Sequence, residues 1–149
     1  MSQRSEEVRK AIYAALNVSA VTDVATGGVF YDKAPEGATL PCVIFLRAAS
    51  KPVDRAFKST IVLEDDLWII KAISDEDSST TLEPQTLNEN ILALCETAIG
   101  ETLSLGGGFT AKYVVREADI PEFSNLTSST NDIDRWVFTN GFFLNVKVS

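Results

Sequence analysis

Histidine is absent from the chain, and cysteine and methionine nearly so, with two and one copies among 149 residues. The missing imidazole excludes Ser-His-Asp and Cys-His catalysis and the usual His-ligated zinc and non-haem iron centres. Cys42 and Cys95 lie in apolar stretches without Cys-x-x-Cys spacing. They read as buried structural thiols, not as a redox pair or a disulfide, which fits a reducing cytoplasm. No apolar run approaches the ~20 residues of a membrane span, and the polar, acidic start from Met1 to Glu7 lacks the form of a secretory signal. The expectation is a protein neither exported by such a signal nor inserted in a bilayer.

Positive charge is also scarce. Lysine and arginine total 13 against 21 acids, for a net charge of −8 and a pI near 4.5. Such a field repels phosphate backbones, so general DNA binding is not expected. The densest basic segment holds Arg47, Lys51, Arg55 and Lys58, diluted by Asp54. Gly106-Gly107-Gly108 lacks the Lys-Ser/Thr of a phosphate loop and reads as a hairpin turn between Leu103–Leu105 and Phe109–Arg116. The runs Glu64-Asp65-Asp66 and Asp75-Glu76-Asp77 have oxygen ligands but no EF-hand spacing, and read as solvated faces in preference to a metal site. A paired-carboxylate glycosidase site has no support in the spacing of the acids. No catalytic, cofactor or metal-binding residue is assigned.

What is present suits one ordinary domain over residues 1–149. A chain of this size buries about 68–70% of its unfolded surface, enough for a core without metals or disulfides. Val8, Ala11, Ile12, Ala15 and Leu16 recur at helical spacing, which predicts a helix over 6–17 with Ser5 as N-cap. Short strands are expected at 29–31 and 42–48, with 50–59 as a charged loop or hairpin tip. A long strand follows at 60–73. Its residues Leu67, Ile69 and Ile73 fall on one face and Trp68 and Ile70 on the other, so both faces read as partly covered. Acids are poor in strand interiors, so Glu64 to Asp66 suggests a bulge, an edge or an exposed portion.

Ser74 to Thr81 reads as an acidic loop. Leu87, Ile91, Leu94, Cys95, Ala98 and Ile99 then mark a second helix, with Pro84 in its first turn and Gly100 at its end. Residues 117–133 read as a long polar loop, and 134–148 as a central strand with Trp136, Phe138, Phe142, Leu144, Val146 and Val148 on one face, broken only at Asn140-Gly141. Without strict strand–helix alternation, the fold class expected is α+β: a mostly antiparallel sheet with two helices packed on one face. Its core sets Trp136, Phe138, Phe142 and Leu144 against Ile12, Leu16, Ile91 and Leu94.

One segment carries more than secondary structure. In Phe30-Tyr31-Asp32, Pro35-x-Gly37 and Leu40-Pro41, two prolines fix φ, Gly37 permits positive φ, and Asp32 can close a local turn. With the early helix, the second helix and the aromatic closing strand, this segment resembles the small tail terminator (tail completion, head-tail joining) proteins of long-tailed bacteriophages. The acidic loop before the second helix and the segment 118–132 depart from that pattern. The resemblance implies a hexameric ring in the neck of the virion, assembled in the host cytoplasm. It also implies that the ring caps the tail tube protein, ends tube growth, offers a surface to the head connector and lets DNA pass without specific binding. Two rival readings stay open: another neck component, such as a head-tail connector or stopper, and a small enzyme or ligand-binding domain. For a head-to-tail ring, sign complementarity makes Lys51, Arg55 and Lys58 of one copy the candidate partners of Glu64, Asp65 and Asp66 of the next.

Overall fold

The computed structural model describes residues 2–55, 61–78, 82–128 and 134–149, with the backbone alone for 51–55, 61–62, 125–128 and 134–135. The elements are α1 (Gln3–Leu16), the short turn α2 (Ser19–Thr22), β1 (Val29–Tyr31), β2 (Cys42–Arg55), β3 (Ile61–Asp75), a 3₁₀ turn Glu76–Ser78, α3 (Pro84–Ile99), β4 (Ala111–Ser128) and β5 (Asp134–Val148). They form a five-stranded sheet in the order β1-β2-β3-β5-β4. All neighbours are antiparallel except β1 and β2, where Val29 stands opposite Val43 and Tyr31 opposite Phe45. The α+β class and the mostly antiparallel sheet are therefore as the periodicity predicts.

The helices start and stop for local reasons. Ser2 caps α1 by accepting a hydrogen bond from the Ser5 amide at 3.1 Å. The cap is therefore Ser2 and not Ser5, and the helix begins three residues earlier than its apolar stripe suggests. Pro84 opens α3, and Gly100 ends it with φ 67°, a conformation that costs glycine nothing. The α3 stripe is rotated from the expected one: Asn88, Ile91, Leu92, Cys95 and Ile99 are buried, whereas Leu87 and Leu94 are half-buried. Asn88 turns inward because its amide donates to the Phe138 carbonyl at 3.0 Å and to Asn140 Oδ1 at 3.2 Å, tying α3 to β5.

The core lies between the helices and one face of the sheet. Val8, Ile12 and Leu16 of α1 and Ile91, Cys95 and Ile99 of α3 join Val43, Phe45, Trp68, Ile70, Phe142 and Leu144 in one apolar cluster. Cys42 and Cys95 are free and buried, and burial pushes their thiols up to about 11 and about 12. Asn140-Gly141, which interrupts the apolar pattern of β5, has a packing cause. Asn140 serves Asn88, and a Cβ on Gly141 would lie 2.8 Å from the Ile70 carbonyl oxygen.

Four loop and turn expectations are corrected. Residues 50–55 continue β2 and pair with β3, while the remainder of the expected 50–59 loop lies outside the described residues. Residues 117–128 continue β4, with register shifts between Arg116 and Asp119 and between Ile120 and Phe123, and 129–133 lie outside the described residues. Leu103–Leu105 is not a strand, so the three glycines form a turn that leads into β4 and do not close a hairpin. Ser74 and Asp75 finish β3 instead of opening a loop.

The two long pairs outrun the sheet at opposite ends. The last β3–β5 pairing is Glu64 with Val148, so the β2–β3 ribbon beyond it has no third strand. At the other end Asp75 meets Val137, and β4–β5 continues alone through Trp136.

Phe142 has no exposed surface and sits at the centre of the core. Truncating Phe142 to Ala should destabilise the protein by about 3–5 kcal/mol in urea denaturation. A loss below about 1 kcal/mol would contradict this register.

Candidate functional site

The acidic run of β3 splits between the two faces of the sheet. Glu64 and Asp66 are buried, at 2% and 0% exposure, on the face that carries the helices. This corrects the expectation of an exposed portion: the run lies in the central strand. The expected bulge does occur beside the run: the register shifts on β2 between Arg47 and Ala49 and between Pro52, opposite Glu64, and Asp54, and again between Asp54 and Arg55, opposite Leu63 and Ile61.

Serines satisfy the two buried acids. Ser2 Oγ donates to Glu64 Oε1 at 2.8 Å, and Ser50 Oγ donates to the same oxygen at 2.7 Å. Ser5 Oγ lies 2.8 Å from Glu64 Oε1 and 2.7 Å from Asp66 Oδ2, and accepts from Arg47 Nη1 at 3.1 Å. A single hydroxyl proton divided between two carboxylate oxygens satisfies neither fully, and Asp66 is the acid that takes up a proton more readily. Burial, aided by the neighbouring Glu64, pushes its carboxyl up to about 6 against the opposing hydrogen bonds of Ser5 and Ser50. Burial also acts to raise Glu64, but hydrogen bonds from Ser50, Ser2, Ser5 and Asp66 outweigh it and hold Glu64 below the usual carboxylate range. The two acids and their serines join the start of α1 to β2 and β3.

The helix-free face is different in kind. Its rows are read from the register: Leu46–Ile69–Phe143, Ala49–Leu67–Asn145–Val115, and Lys51–Asp65–Lys147–Tyr113. Leu46, Leu67, Ile69, Phe143 and Val115 are half-buried, and none belongs to the helix-side core. A depression of about 320 Å³ here is lined by Ala49, Ser50, Asp65, Leu67, Glu117 and Asn145. Oδ1 of Asp65 and Oδ1 of Asn145 are buried without a hydrogen-bond partner. Lys147 is over the Tyr113 ring, 5.5 Å from its centroid.

A second groove of about 460 Å³ runs between α3 and β4, past Glu96, Ile99, Lys112, Val114, Arg116 and Leu144. Arg116 bridges its walls, binding Glu96 at 2.5 Å and Asp119 at 2.6 Å and lying 4.5 Å over the Phe142 ring. Asp75 is buried and bonded by Ser78, whereas Glu76 and Asp77 are exposed, so this run does not converge. Among the described residues no three Asp, Glu or Cys side chains are grouped to hold a metal ion, and no helix is long and apolar enough to cross a membrane. Of the expected interface residues, Lys51 and Arg55 lie on β2, with Lys51 opposite Asp65 in register, and Lys58 lies outside the described residues.

No protein-family model matches the chain, and no curated protein matches it. Among solved structures, the chain is similar to one from the virion of a native gene transfer agent (GTA) particle. The TM-score is 0.54 and the identity 15%, over 99% of this chain and 99% of that one. At this identity the likeness concerns the fold.

The buried pair sets a pH dependence. Asp66 binds its proton more tightly folded than unfolded, so its contribution is fully present below about pH 4 and is lost as pH rises through about 6. Glu64 acts oppositely: its contribution is present above its unfolded value and is lost as pH falls through its lower folded value. Asp66→Asn keeps the neutral form. Thermal melts from pH 4 to 8 should show the wild type losing on the order of 2–3 kcal/mol relative to Asp66→Asn across that window. Parallel profiles would contradict a raised Asp66 carboxyl.

Proposed function

We propose that the chain is a tail terminator: a subunit of a hexameric ring that caps the tail tube, ends tube polymerisation and presents a surface to the head connector. The observation that carries this reading is the full-length likeness in fold to a chain of a gene transfer agent virion. The Phe30-to-Pro41 segment, with its aromatic-Asp strand end and Leu-Pro entry to β2, supports it independently. On this reading the protein resides in the neck of the virion after assembly in the host cytoplasm, and its partners are further copies of itself, the tail tube protein and the head connector.

The physical features agree. A net charge of −8 suits a ring through which DNA slides without adhering. The two ribbons that outrun the sheet supply reach for contacts between subunits. We further propose that Lys51, Arg55 and Lys58 of one copy meet the acidic run of the next. Because Glu64 and Asp66 are bonded within their own chain, Asp65 is the member of that run available to a neighbour. The proposed activity is capping of a polymer, without turnover chemistry.

Removing the protein from the phage that encodes it should give tails of uncontrolled length, or tails unable to join heads, with capsids still formed. Electron microscopy reads this directly. Tails of normal length that fail to join heads would favour another neck component. Normal length together with normal joining would overturn the assignment.

A further inference from the structure

We propose that the helix-free face of the sheet receives the β2–β3 ribbon of a second copy, with position 55 of that copy beside the Asp65–Glu117 depression. The inference rests on the ring reading and specifies the contact that would build the ring.

Three observations carry it. First, β3 is apolar on both faces, whereas the chain's helices cover only one. Leu67 and Ile69, with Leu46 and Phe143 across the neighbouring strands, are left half-buried under no helix. A solvated face of an antiparallel sheet is ordinarily polar. Second, the ribbon beyond Glu64 is two-stranded and carries Val53, Ile61, Val62 and Leu63 with Asp54 and Arg55. A two-stranded ribbon is marginal in water on its own and gains by packing. Third, the signs match. The depression holds two carboxylates, Asp65 and Glu117, and two buried oxygens without a hydrogen-bond partner, Asp65 Oδ1 and Asn145 Oδ1. Buried acceptors of this kind call for a donor. Lys147, the neighbour of Asp65 on β5, lies over Tyr113. In sequence, residues 51–58 hold three bases against Asp54 in an otherwise acidic chain. Ribbon and face are different patches of one molecule, so the contact is head-to-tail and repeats from copy to copy.

A paired-cysteine test separates this contact from any within one chain. Arg55 pairs with Ile61, while Glu117 follows Val115 on the row of Leu67, six positions farther along β3. At about 3.3 Å per residue this is roughly 20 Å, far beyond the ~7 Å limit for Cα atoms joined by a disulfide. Cys42 and Cys95 are buried and do not compete. Full-length Arg55→Cys/Glu117→Cys protein, assembled on tail tubes and oxidised, should run as a ladder of cross-linked multimers on a non-reducing gel. Each single variant should run as monomer. Arg55→Glu should reduce loading onto tubes at least tenfold, and adding Glu117→Arg should restore most of it. Protein that loads onto tubes but gives no ladder overturns this contact and leaves the terminator reading standing. A cross-linked dimer from Glu117→Cys alone overturns it too, because the contact would then be symmetric. Wild-type protein that never associates with tubes overturns both.

Discussion

The structure depends on a strand that is apolar on both faces and lies under helices on only one. β3 is the central strand, and its even-numbered residues Trp68, Ile70 and Ala72 form the floor of the core beneath α1 and α3. Its odd-numbered residues Leu67, Ile69 and Ile73 face the other way and keep partial exposure. Covering the first face accounts for most of the fold: two amphipathic helices, the aromatic contacts of Phe45 with Tyr31 and Trp68, and the close approach of β5 at Gly141. On the second face the row of Leu46, Ile69 and Phe143 stays half-buried, with no helix over it.

The entry of α1 obeys a second constraint. Two carboxyls buried side by side repel when both are ionised, which raises Asp66, while the hydroxyls of Ser2, Ser5 and Ser50 favour the ionised form of Glu64. Helix capping and acid burial are therefore coupled. Ser2 both caps α1 and donates to Glu64, so the first turn of the helix is held by the middle of the sheet.

Much of this was legible in the sequence, for identifiable reasons. Strong periodicity marked α1, α3 and β5, and Pro84 and Gly100 fixed the ends of α3 within a residue. The extensions of β2 to Arg55 and of β4 to Ser128 were not legible. There the chain forms ribbons or bulged edges where polar side chains face water, and alternation gives no signal. The burial of Glu64 and Asp66 was hidden because Ser2 and Ser5 lie about sixty residues away in the chain. A cue did exist: extending the Trp68–Ile70 face backwards by twos lands on Asp66 and Glu64. Neither Asp65 nor Glu117 stood out in the sequence as one side of a depression, because the two lie on different strands.

The most direct test of the central claim is an electron cryomicroscopy reconstruction of the neck of the particle that carries this protein. The account predicts six copies in a closed ring at the head-proximal end of the tail tube, each with the Leu67–Ile69 face covered by its neighbour. Copies located elsewhere in the particle, or a ring in which that face lies bare to solvent, would contradict it.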